Sequence, residues 1–107
     1  MSQRNYQLRT YTLKTKESAL QYRDIWYDHV ESLKVVGIQT HGIFIPVDCE
    51  EQVIALVSYN TDKTVEEYTL EYMNSEGFKK DVKDFDISNL VKVETREMTA
   101  IKGSPLQ

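Results

Sequence analysis

The sequence predicts an α+β domain of ferredoxin-like plan, and three observations carry that expectation. Strand-like and helical stretches follow one another in the order β-α-β-β-α-β. The third strand is apolar without a break from Val53 to Val57, as a strand covered on both faces is. The 107 residues suffice for one core and leave no chain over for a further layer.

Tyr6–Lys14 is rich in β-branched and aromatic residues and free of Gly and Pro, so it reads as the first strand. Thr15 offers a side-chain oxygen to cap a helix running from Glu17 to about Val36. Along it Ala19, Tyr22, Trp26, Val30 and Leu33 recur at helical spacing, and Asp24, Asp28 and Glu31 lie mostly on the other side. Gly37 closes this helix. Ile38–Pro46 reads as the second strand, with Gly42 marking a bulge or a close approach. Val47–Glu51 is an acidic turn, and Gln52–Tyr59 is the third strand. Asn60–Thr64 holds turn and cap residues ahead of a second helix, Val65 to about Ser75. Glu76–Asp86 reads as a charged connector, with room for a further helical turn, that tucks Phe78, Val82 and Phe85 inward. Ile87–Ile101 reads as a long last strand, ended by Gly103-Ser104-Pro105. No repeat or interior linker divides the chain, so residues 1–107 are expected to form one domain with a short tail at 102–107.

Composition narrows the classes. Hydrophobic residues make up 40% and charged residues 28%, an ordinary globular balance. The net charge of −4 repels phosphate backbones, and no Lys/Arg cluster offsets it, which argues against nucleic acid. No apolar run approaches the ~20 residues of a membrane helix. Met1–Thr10 lacks the apolar core of a secretory signal, so a cytoplasmic location is expected. The single Cys49 excludes an internal disulfide, and its acidic neighbours lack the positive charge that activates a nucleophile. Neither dinucleotide nor phosphate-loop glycine patterns occur, and no cofactor is expected. With two His and one Cys at no ligand spacing, no metal is expected either, and Asp24 and Asp28 read as solvated helix carboxylates.

In a ferredoxin-like plan both helices lie on one face of a four-stranded antiparallel sheet. The doubly apolar third strand implies that the open face is covered as well, and a second copy of the same sheet is the economical cover. A homodimer through the open sheet face is therefore expected.

The opening run Tyr6-Gln7-Leu8-Arg9-Thr10-Tyr11-Thr12-Leu13-Lys14, directly before a Tyr/Trp-bearing helix, resembles the start of the NIPSNAP family. The likeness continues in Gln52–Tyr59, in Ser75-Glu76-Gly77-Phe78 and in Ser104-Pro105-Leu106. The resemblance implies a dimeric α+β barrel, two facing sheets with helices outside. It implies no reaction, since the family has no agreed catalytic motif to carry over. Related dimeric α+β barrels include cofactor-free monooxygenases, haem-degrading enzymes, dehydratases and plain ligand binders, and fold alone does not choose among them.

Five residues carry the possible chemistry. Arg9 and Tyr11 share one face of the first strand and would anchor a carboxylate and donate a hydrogen bond. The competing reading pairs Arg9 with Glu94 or Glu97 of a neighbouring strand. His41, beside Gly42, would act as a general base, or else as a structural histidine. Trp26 and Tyr27, with Tyr22, would wall a flat apolar pocket, or simply pack the core. His29 reads as a boundary residue at the edge of the buried stripe. The leading expectation is a NIPSNAP-like homodimer that binds a small apolar or aromatic ligand. The alternatives are a cofactor-independent monooxygenase or isomerase, with His41 and Arg9 catalytic, and a protein-interaction module.

Overall fold

The computed structural model describes residues 4–106. Met1–Gln3 and Gln107, which the sequence reading includes in the domain and its tail, lie outside the described residues. The chain runs β1 (Arg4–Leu13), α1 (Lys16–Val35), β2 (Gln39–Phe44), β3 (Gln52–Asn60), α2 (Val65–Met73), α3 (Glu76–Asp81) and β4 (Leu90–Thr99). The sheet has the order β2-β3-β1-β4, and every neighbouring pair is antiparallel. This is the ferredoxin-like arrangement that the element order predicts.

Local chemistry sets the boundaries. The Thr15 hydroxyl accepts the Ser18 backbone N–H, and Ser18 Oγ accepts the Thr15 N–H, so α1 opens with a reciprocal cap. At its other end the Ile38 N–H bonds the Leu33 carbonyl and the Gly37 N–H bonds that of Lys34, the bonding of a Schellman motif. Gly37 has φ +95°, which a side chain would resist. Thr64 and Glu67 cap α2 in the same reciprocal way. The connector does contain a helix, α3, capped by the Ser75 hydroxyl. The last strand starts at Leu90 rather than Ile87, because Asp86 accepts the Ser88 N–H and folds residues 87–89 into a 3₁₀ turn.

Register assigns the two faces of the sheet. Arg9, Ala55 and Thr95 lie side by side, as do Tyr11, Val53 and Val93, and these face the helices. Val53, Ala55 and Val57 are completely buried there, against Trp26 and Leu33 of α1. The other face carries Leu8 beside Leu56 and Arg96, and Thr10 beside Ile54 and Glu94. Ile54 and Leu56 are only half-buried on it, and Phe44 is 54% exposed. The third strand is thus apolar on both faces, and the described residues place helices over one of them.

Candidate functional site

A cleft lies between the helix-facing side of β1 and β4 and the helix α2. Its inner part has a volume of about 230 Å³ and is walled by Tyr11, Tyr22, Trp26, His29, Tyr72 and Phe78 among others. An outer part of about 450 Å³ opens past Leu70 and Thr95, with Glu66 at its rim. Both parts share Arg9, Tyr11, Thr69, Met73 and Val93, so they form one continuous cleft. The inner walls are packed rings: Tyr11 meets Tyr22 at 5.0 Å and Trp26 at 5.9 Å between centroids.

Arg9 supplies the charge in this apolar space. It is 8% exposed, and its Nε donates to Gln7 Oε1 at 2.6 Å. Among the described residues no carboxylate lies within 4.0 Å of it. Register explains why the two glutamates suggested by the sequence do not serve. Glu94 pairs with Thr10 and so points to the open face, and Glu97 accepts the Tyr59 hydroxyl at 2.8 Å. A buried guanidinium with one neutral partner retains donors for an anion.

A second polar group sits in the inner wall. His29 is 2% exposed, not a boundary residue as the sequence suggests. Its Nδ1 lies 2.9 Å from Asp81 Oδ2 and 2.6 Å from the Tyr72 hydroxyl. The Ser32 hydroxyl donates to the same Asp81 oxygen at 2.6 Å. Burial pushes the His29 imidazole below its ordinary pKa, against the pull of Asp81. Burial likewise raises the phenols of Tyr22 and Tyr72, so both remain protonated donors. Asp81, Tyr72 and Ser32 were invisible as site residues in the sequence, because Tyr72 and Asp81 reach His29 from α2 and α3 and Ser32 joins through Asp81. The one available signal was His29 itself, three residues after Trp26 on a buried stripe, where a titratable group needs a partner.

The structure brings Arg9, Tyr11 and Trp26 together around the cleft and leaves His41 and Tyr27 outside it. Tyr27 is 67% exposed, since one helical step carries it about 100° around from the buried Trp26. His41 is the extra residue where the β2–β3 register shifts between Thr40 and Gly42. Its Nε2 lies 2.6 Å from Ser58 Oγ, and its ring meets Tyr6 edge-on at 5.3 Å, on the open face. Arg4 Nη2 also donates to Ser58 Oγ, at 2.9 Å. Burial and the nearby Arg4 charge hold the His41 imidazole below its ordinary pKa. The sheet therefore separates His41 from Arg9. Gly42 makes the expected close approach, but to Phe44: a Cβ there would stand 2.5 Å from the ring.

Cys49 is half-buried, and Asp24 pairs with Arg23 at 2.9 Å. Among the described residues no three His, Cys, Asp or Glu side chains gather as a metal set requires. No helix among them is long and apolar enough to cross a membrane.

No protein-family model and no curated protein matches the sequence. Solved structures do match the fold. A NIPSNAP family protein of Agrobacterium tumefaciens superposes with a TM-score of 0.77 at 14% identity, over 100% of this chain and 94% of that one. An uncharacterised NIPSNAP-like domain protein of Burkholderia xenovorans gives 0.74 at 16% identity, over 96% and 90%. A cofactor-independent oxygenase of Streptomyces nogalater gives 0.65 at 12% identity, over 96% and 98%. The chain has the fold of these NIPSNAP and NIPSNAP-like proteins, an architecture that the oxygenase also shows.

Proposed function

We propose that the protein binds a small, largely apolar anion, such as an aromatic carboxylate, in the cleft under α2. The observation that carries this reading is Arg9, buried in an aromatic-walled space with only Gln7 as its partner among the described residues. An isolated buried charge is costly, and an anionic ligand group offsets that cost while the rings take up the apolar body. Tyr11 and Trp26 are assigned to that body, and the Tyr11 hydroxyl to a polar substituent beside the anion. The inner volume of about 230 Å³ suits a ligand of one or two rings. The same proposal includes a cytoplasmic homodimer in which a second copy covers the open sheet face. Leu8, Ile54, Leu56 and Phe44 supply its apolar centre, and Lys92, Glu94 and Arg96 give β4 alternating charges that a two-fold partner complements. His41 belongs to that interface in this reading.

The test is calorimetric titration with phenylacetate of the wild type and of Arg9→Met, a long apolar side chain of similar reach. Loss of a charge-assisted pair lowers affinity by about 10- to 100-fold. Equal affinity in a folded Arg9→Met chain sinks the reading.

A further inference from the structure

We propose that the cleft is also a proton-transfer site, in which His29 is the general base toward an enolisable carbonyl compound. This rests on the binding reading above and names the substrate class and chemistry of the same site. The argument is one of hydrogen count. Nδ1 carries either a proton or a lone pair. Asp81 Oδ2 lies 2.9 Å from it and already accepts the Ser32 hydroxyl at 2.6 Å. A bare Nδ1 would set its lone pair against a carboxylate oxygen, whereas a protonated Nδ1 donates to it. The Tyr72 hydroxyl oxygen, 2.6 Å from Nδ1, shares that proton as a second acceptor, and its own hydrogen is directed to Oδ2 at 3.5 Å. A neutral imidazole with its proton on Nδ1 has its free lone pair on Nε2, which has no hydrogen-bond partner among the described residues. That ring lines the inner cavity, as Arg9 and Tyr11 do.

The geometry resembles the orientation of a base by a carboxylate, with Asp81, Ser32 and Tyr72 as positioning residues. Nε2 takes a proton from the carbon next to the carbonyl. The released C–H pair becomes a C=C bond, and the carbonyl π pair moves onto oxygen. Arg9 and the Tyr11 hydroxyl hold that enolate oxygen. Return of the proton from Nε2 to oxygen or carbon completes an isomerisation that consumes no oxidant and no second substrate. A network that merely ties α1 to α2 and α3 would contribute to stability and transfer no proton.

Phenylpyruvate is a suitable probe, since it joins an aromatic ring, a carboxylate and an acidic benzylic carbon. Proton NMR in D₂O follows loss of the benzylic signal, while the Trp26 indole resonance reports binding. Nitrogen-detected spectra of the full chain report the His29 tautomer. The proposal expects an Nδ1–H tautomer and exchange at least ~100-fold above buffer, the lower end for a positioned base. It expects His29→Gln to return exchange to the buffer rate with phenylpyruvate still bound. Asp81→Asn should lower exchange ~10-fold while binding is kept. An Nε2–H tautomer overturns the proposal, and so does a His29→Gln chain that exchanges like the wild type. If His29→Gln does not fold, the wild-type tautomer and the Asp81→Asn rate decide. Binding without accelerated exchange overturns the proton-transfer step and leaves the binding reading standing. Absence of binding overturns both.

Discussion

Two acidic residues of β4, the strand beside β1, flank the Thr95 that pairs with Arg9, and neither reaches the guanidinium. Glu94 projects from the opposite face, and Glu97 is held by Tyr59. Sequence alone placed Arg9 and Tyr11 on a common face, because alternation is a property of any strand. It left the choice of partner open, because which face a glutamate of β4 presents depends on register, and one residue of slip exchanges the faces. His29 reads in the sequence as a boundary residue beside the stripe, and neither its burial nor its network was legible, since Tyr72 and Asp81 come from α2 and α3. A prediction follows at this scale. The folded-state pKa of His29 is lowered from its ordinary 6.5 by burial. Between that lowered value and 6.5 the unfolded chain binds more protons, so stability is full above 6.5 and falls as pH drops below it. The groups acting on His29 are Asp81 of α3, Tyr72 of α2, Arg9 of β1 and Asp28 of its own helix. His41 is lowered too and adds to the same slope. Urea midpoints measured from about pH 7.5 to about pH 5, above the carboxylate range, should decline less steeply in His29→Gln. An unchanged slope would show that His29 is not held neutral by burial.

At the scale of elements, ends and irregularities were the most readable features, and their consequences the least. Gly37 was legible as a helix terminator because few other residues tolerate the left-handed region, and the structure gives it φ +95°. Leu33 and Ile38 are both fully buried beside the terminal bonds, so the turn fixes how β2 leaves α1 as well as where α1 ends. Gly37→Ala should therefore cost about 1 kcal/mol or more, read as a lower urea midpoint with no change in slope. A neutral result would mean that the turn adopts another geometry. The bulge near Gly42 was likewise legible, but not its effect, which is to aim His41 at Ser58 on the open face. The helix in the connector is short and was marked only by Ser75 ahead of Glu76 and by inward Phe78. Its contribution to the site, Asp81, sits on its last turn.

For the whole molecule, the unbroken apolar run of β3 separates into two halves with different consequences. Val57 lies completely buried beneath the helices, so a charge there would unfold the chain. Leu56 lies half-buried on the open face, where a charge tests the interface instead. If the proposed dimer forms, analytical ultracentrifugation should show the wild type at twice the 12.5 kDa chain mass and Leu56→Asp as a folded species of 12.5 kDa. A dimeric Leu56→Asp chain would place the interface elsewhere. That two faces of one strand are apolar was readable in the sequence. That one is already filled by this chain and the other is not required the register.

The hydrogen bond from Tyr59 to Glu97 bears on more than the two residues it joins. It spans β1 from β3 to β4 and gives the carboxylate that shares a face with Arg9 a partner of its own. Burial and Glu97 both raise the Tyr59 phenol, so it stays a donor across the physiological range and the tether does not release with pH. In the proposed anion site Arg9 supplies the cation, and a phenol on another strand engages the β4 acid that could otherwise pair with it.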